Sequence, residues 1–171
     1  GAIQRNMVRL RDVVGPDVGI FGVVKADAYG HGAVHVARAL EPLCSAVAVS
    51  LVEEGLELRA AGIRAPIFVL GAYYNRHQDD VIAQRLTPVV YDVGDLERFG
   101  AAAARRGRRI DGHVKIDTGM SRMGIPYHRA MPFLHAITAL PHARPTGTFS
   151  TFPHDAEIDR DQLKRFRSLS R

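Results

Sequence analysis

The sequence predicts an α/β protein assembled from parallel βα units. Three observations carry that reading. Strand-like and helix-like patterns alternate along the chain. Capping residues and glycines mark the boundaries between them. The 171 residues, 46% of them hydrophobic, suffice for one folded domain with a sizeable core. About six strands are expected, each followed by a helix. A small doubly wound sheet and most of a (β/α)8 barrel both satisfy this count, since a complete barrel has eight units and about 250 residues. No Pro/Gly/Ser linker or low-complexity stretch divides the chain, so 1–171 reads as one domain.

The strand-like runs are 19–25, 46–50, 66–71, 87–91, 110–116 and 147–152. Most are short and rich in valine, isoleucine and phenylalanine, as buried strands are. Ser50 followed by Glu53 has capping-box spacing and opens a helix that Gly62 is placed to end. Asp92 caps the next long helix, with Asp95 in its first turn and Gly107 at its end. Segments 33–40, 131–140 and 159–170 complete the clearer helices, the last with Leu163 and Phe166 on one face.

Composition excludes several classes. No run is long and apolar enough to span a membrane, and no charged segment followed by an apolar stretch marks the start for secretion. Cys44 is the single cysteine, so no internal disulfide can form; it lies in an apolar stretch and reads as a core residue. These features point to a reducing, cytoplasmic compartment. The net charge of +5 is concentrated in Arg105, Arg106, Arg108 and Arg109. Placed after an alanine run, they read as a helix C-terminus whose dipole favours cations. No nucleic-acid motif or interleaved aromatics accompany them, so no nucleic-acid partner is expected. His31 and His35 have a metal-compatible spacing, but no third ligand is evident and no metal is expected.

Two segments carry chemistry. The first strand ends in Val23-Val24-Lys25-Ala26-Asp27-Ala28-Tyr29-Gly30-His31-Gly32. A lysine at the C-terminal end of a strand lies on the face where βα barrels place active sites. Apolar neighbours favour its neutral amine, the form that Schiff-base chemistry needs. The glycines around His31 permit a tight turn into the following helix. The second segment is Asp111-Gly112-His113-Val114-Lys115-Ile116-Asp117-Thr118-Gly119-Met120-Ser121-Arg122-Met123-Gly124-Ile125. Ile110, Gly112, Val114 and Ile116 alternate with Asp111, His113, Lys115 and Asp117. In a βα architecture both faces are covered, so the charged face suggests a polar pocket in the barrel mouth; an edge strand facing water is the alternative. Arg122 is placed to grip a carboxylate or a cofactor oxygen.

The stretch from Val24 to Gly32 closely resembles the cofactor-lysine motif of alanine racemases, and Val114 to Gly124 resembles a second motif of that family. Weaker matches run from the starting helix through Val69-Leu70-Gly71 to 162–166, so the resemblance covers nearly the whole chain. It implies a TIM (β/α)8-type barrel with about six of eight units present and the family's C-terminal β domain absent. It further implies pyridoxal 5'-phosphate as cofactor, Lys25 as the internal aldimine and one of two catalytic bases, and Tyr29 at the cofactor phosphate. Leu70 would pack near the ring, and Arg122 would contact the phenolic oxygen and the substrate carboxylate. Lys115 matches a lysine carbamylated in some members, a change that turns a cation into an anion able to hold Arg122. The activity implied is interconversion of L- and D-alanine for peptidoglycan, in a full-length homodimer.

Two departures stand out. Where the family carries a histidine in its sixth-strand Ser-His-Phe motif, this chain has Thr151 within Phe149-Ser150-Thr151-Phe152-Pro153-His154, with His154 nearby. The family's second base is a tyrosine of the C-terminal domain, contributed across the dimer, and none of Tyr73, Tyr74, Tyr91 or Tyr127 lies in a matching segment. The opening Gly1-Ala2-Ile3 resembles the middle of the family's first helix. The fragment alone is therefore expected to be a poor or inactive racemase. The alternatives are a racemase of serine or of broader specificity, and a non-catalytic pyridoxal-phosphate-binding barrel protein.

Overall fold

A computed structural model describes residues 1–71 and 77–169. Tyr73 and Tyr74 lie outside the described residues, as does Ser170 at the end of the last expected helix. The chain divides into two compact units, Gly1–Thr87 and Pro88–Arg171.

The first unit opens with helix α1 (Ala2–Val14), followed by strand β1 (Phe21–Val23), a single turn α2 (Lys25–Gly30), α3 (Ala33–Leu40), β2 (Ala46–Val49), α4 (Val52–Ala60), β3 (Ile67–Val69) and α5 (Gln78–Ala83). β1, β2 and β3 pair in parallel, with Phe21 opposite Ala46 and Val47 opposite Ile67. Every residue of β2 and β3 is buried. That explains their continuous apolar runs, because strands covered on both faces need no polar alternation. Leu58, Ile63 and Val52 close the core against them. Each such side chain contributes about 1.5–3 kcal/mol on burial. Helix α1 buries only Met7 and leaves Val8, Leu10 and Val13 exposed.

The second unit contains most of β4 (Leu86–Val90), then α6 (Val93–Arg105), β5 (Ile110–Asp117), the two-residue strand β6 (Ile125–Pro126), a 3₁₀ turn Tyr127–Arg129, α7 (Ala130–Thr138), β7 (Ala143–Phe149) and α8 (Ala156–Ser168). β5 pairs in parallel with β4 on one side and β7 on the other. It is therefore an interior strand, and the edge-strand alternative falls. Phe99, Leu96 and Ile137 are fully buried around it.

The six expected strands are all present, with altered bounds, and β6 is an addition too short to signal itself. β7 begins at Ala143, earlier than the apolar pattern suggested. Its first half contains Pro145, which lacks an N–H, and the register with β5 shifts between Gly112 and His113. Asp92 caps α6 as expected, accepting from the Asp95 N–H at 3.2 Å. Gly62 and Gly107 follow their helices at φ of 86° and 61°. The expected Ser50–Glu53 cap is displaced by one residue: Leu51 precedes α4, and Glu54 reaches back to its N–H at 2.9 Å. Glu53 instead bonds His77, 3.1 Å away. The last helix starts earlier than expected because Asp155 caps it, accepting from Glu157 and Ile158.

Candidate active site

Lys25, Tyr29 and Leu70 fall in the first unit, and Lys115, Arg122 and Thr151 in the second. In the first unit, Lys25 and Leu70 follow the C-terminal ends of the parallel strands β1 and β3, so both emerge at the same edge of the sheet. Lys25 is half-buried, Leu70 half-buried and Tyr29 64% exposed.

The turn that Lys25 opens is left-handed. Ala26, Asp27, Ala28 and Tyr29 have φ between 51° and 57°. L-residues occupy this region at a cost of roughly 1–2 kcal/mol each, so four in succession persist only where their surroundings enforce them. Here they do. The Ala28 N–H donates to the Val24 carbonyl at 2.9 Å, and the Gly32 N–H to the Asp27 carbonyl at 3.0 Å. Asp27 Oδ1 accepts from the Ala33 N–H at 2.7 Å, which joins the turn to the start of α3. The Ala26 N–H donates to Glu54 Oε1 at 2.6 Å. Only Gly30 and Gly32, at φ of 87° and 86°, were legible as turn residues. The left-handed run itself has no composition signal.

In the second unit, Lys115, Asp117, Met120, Arg122, Ser150 and Thr151 line one narrow crevice. The structure thus brings together the three candidate residues of this unit. Lys115 is 6% exposed, with Nζ 5.4 Å from the centroid of the Phe149 ring. Arg122 is exposed, and its loop is shaped from beneath. Asp117 Oδ1 accepts from the N–H groups of Gly119 and Ser121 at 2.9 and 3.0 Å. Gly124 has φ 129°, and a Cβ there would lie 2.7 Å from the Asp117 nitrogen. His154 is exposed and lies outside the crevice lining.

A buried polar network anchors the same loop. Thr118 is fully buried; its Oγ1 lies 2.7 Å from Ser150 Oγ and donates to Gln162 Oε1 at 2.8 Å. Arg165 Nη1 donates to the Thr118 carbonyl at 2.8 Å. Gln162 is 1% exposed and is the residue on which α8 turns inward. Sequence reasoning assigned that face to Leu163 and Phe166, both only half-buried. A glutamine partner 44 residues away leaves no local signal.

Among the described residues no group of three or more His, Cys, Asp or Glu side chains is disposed to hold a metal. No helix of the described residues is long and apolar enough to cross a membrane. Burial pushes the Cys44 thiol above its ordinary range, the opposite of what activates a nucleophile.

Comparison with known proteins puts this geometry in a family. The model of the alanine racemase N-terminal domain matches residues 1–171. An alanine racemase of Sorangium cellulosum is 43% identical over 149 residues, covering 84% of this chain and 38% of the relative. Alanine racemase 2 of Caldanaerobacter subterraneus is 38% identical over 174 residues, covering 98% and 45%. The solved alanine racemase of Clostridium difficile 630 superposes with a TM-score of 0.94 at 32% identity, covering 98% of this chain and 48% of that one. The chain spans less than half the length of these relatives. The fold expected from the sequence, a TIM-barrel-type α/β fold, is the one it shares with them.

Proposed function

Because the chain belongs to the alanine racemase N-terminal-domain family, we propose that the protein carrying it interconverts L- and D-alanine with pyridoxal 5'-phosphate as cofactor. The observation that carries the reading is Lys25 itself: a half-buried primary amine at the C-terminal end of β1, opening an enforced left-handed turn. The donor set suits this cofactor. A primary amine suits an aldehyde, a guanidinium at Arg122 suits anionic oxygens, and a phenol at Tyr29 suits a phosphate. When bound, the cofactor supplies a carbonyl that an amine can capture and a ring that spreads the charge left by α-proton removal.

The chain's own residues then have distinct tasks. Lys25 Nζ is the point of covalent attachment and exchanges a proton on one face of the substrate. Tyr29 reaches the phosphate, Leu70 packs near the ring, and Arg122 holds the phenolic oxygen and the substrate carboxylate. Lys115, buried beside the Arg122 loop, is the candidate for carbamylation. Thr151 stands where the family motif has histidine and offers a weaker hydrogen bond in its place. The second base, a tyrosine of a C-terminal β domain acting across a homodimer, is proposed to lie outside these residues; the 171 residues alone are then a poor racemase. Location in the cytoplasm and supply of D-alanine to peptidoglycan complete the proposal. Serine or a broader set of amino acids is the rival substrate class, because the motif residues serve the cofactor and discriminate side chains little.

The test is an intact mass of the full-length protein after addition of pyridoxal phosphate and borohydride reduction. A pyridoxyl adduct mapping to Lys25, abolished in Lys25→Ala together with racemisation of alanine, is the expected result. A reducible adduct that persists in Lys25→Ala overturns the role of Lys25. Faster turnover of serine than of alanine moves the substrate to the rival class.

A further inference from the structure

Glu54 does more than cap a helix. Its carboxylate accepts three backbone N–H groups: Ser50 at 2.7 Å and Leu51 at 2.9 Å on Oε2, and Ala26 at 2.6 Å on Oε1. The first two lie at the start of α4. The third lies 28 residues away in the left-handed turn, on the residue directly after Lys25. A carboxylate has about four lone-pair sites, and hydrogen bonds to an ionised acceptor are about twice as strong as neutral ones. One side chain thus ties the start of α4 to a backbone segment that is unfavourable by itself. The bonds internal to the turn, Ala28 to Val24 and Gly32 to Asp27, hold its later residues. The N–H of Ala26, the first left-handed residue, goes to Glu54.

We propose that Glu54 is a positioning residue for Lys25: by clasping the Ala26 N–H it holds the left-handed turn, and so the amine, in the attitude that captures the cofactor aldehyde. The inference rests on the cofactor reading of Lys25 given above. Glu54 touches neither the amine nor the reacting atoms; it acts through the backbone. The lesser role, a helix cap for α4 alone, accounts for the bonds to Ser50 and Leu51 but leaves the bond to Ala26 without a purpose.

The two roles separate in Glu54→Gln, an isosteric change that removes the charge and turns one acceptor into a donor facing N–H groups. Asp92→Ala, which removes the cap of α6 in the other unit, serves as the control for general loss of a cap. In the full-length protein without cofactor, hydrogen exchange followed by mass spectrometry reads peptides over 25–33 and 50–55 separately. Loss of a charge-assisted bond predicts that Glu54→Gln speeds exchange about tenfold or more over 25–33 as well as over 50–55. Asp92→Ala leaves 25–33 within about twofold of wild type. The same tenfold slowing is expected in the rate of borohydride-trappable adduct formation at Lys25 in Glu54→Gln. Faster exchange confined to 50–55, with the adduct rate unchanged, reduces Glu54 to a cap and overturns the inference. If the wild-type protein forms no adduct at Lys25, the cofactor reading falls and the positioning role with it, whereas wild-type adduct formation that Glu54→Gln leaves unaltered overturns the positioning role alone.

Discussion

The two motif regions reach unusual backbone shapes by overlapping but distinct means. After Lys25, four non-glycine residues sit near φ 55°, in the one left-handed well that L-residues can occupy at moderate cost. The bonds that enforce them come from the backbone of the turn, from the Asp27 side chain within it and from the Glu54 carboxylate on α4. Around Arg122, the loop turns on Gly119 and Gly124, at φ of 146° and 129°, where side chains are rarely tolerated at all, with Ser121 between them in the left-handed well at 57°. It is tied down from afar by Ser150, Gln162 and Arg165. Both regions have backbone N–H groups held by carboxylates, Asp27 and Glu54 in the first and Asp117 in the second; the second adds a buried side-chain network. The lesson is that left-handed backbone tolerable to a side chain is clamped locally in both regions, at 26–29 and at Ser121, whereas the close approach of the loop to β5 at Gly124 needs glycine.

The sharpest way to break this comparison is Gly124→Ala. The added Cβ meets the backbone nitrogen of Asp117 at 2.7 Å and the Ile116 carbonyl carbon at 3.1 Å, and φ 129° is strained for any L side chain. Backbone cannot swing aside as a side-chain tip can. A loss of about 3 kcal/mol is expected, read as a fall in the urea midpoint of the full-length protein. A loss below ~1 kcal/mol would show that the loop can lift from β5 and that glycine there is not required.

Next in size is Gln162→Leu. The substitution keeps the volume but deprives the fully buried Thr118 hydroxyl of one acceptor, leaving Ser150 as its remaining side-chain partner. A cost of about 1 kcal/mol is expected for the lost hydrogen bond, since Ser150 still partners the hydroxyl. Because Thr118 roots the Arg122 loop, exchange over 117–124 should speed up while that over 25–33 stays fixed. Equal acceleration in both regions would mean that the clasp by α8 is not local to the second unit, and the contrast drawn above would fail.

The same contrast explains what the sequence made legible. Lys25 and its strand could be read because both signals are local: an apolar run and the residue at its end. The alternation along β5 was equally plain and led to the pocket side of Lys115. Glu54 and Glu53 are not separable from sequence, because spacing alone cannot tell which of two adjacent carboxylates reaches back across the helix start. Gln162 was invisible because a polar residue inside an amphipathic helix reads as solvent-facing unless its partner is known. The early half of β7 was hidden by Pro145, and α5, at six residues, is too short to show periodicity.

The smallest expected effect is one of pH, and it sharpens the comparison by touching only the second unit. The His113 ring is half-buried on β5, close enough to β7 that a Cβ on Gly147 would lie 2.8 Å from its Cε1. Burial lowers its pKa below the ordinary 6.5, because the charged ring would lose hydration there. The sign follows from linkage: around that value the unfolded chain binds the proton more readily than the folded one. The group's contribution to stability is therefore complete above pH 6.5 and is lost as pH falls through the lower, folded-state value. The ring retains solvent contact, so screening keeps the effect under about 1 kcal/mol. Urea midpoints measured from pH 7.5 down to pH 5 should fall less steeply in His113→Gln than in wild type, with the difference in exchange confined to peptides of β5 and β7. Identical slopes in the two proteins would mean that the strands give way enough to hydrate the ring, and that the packing of β5 against β7 is looser than the tight approach of Gly147 requires.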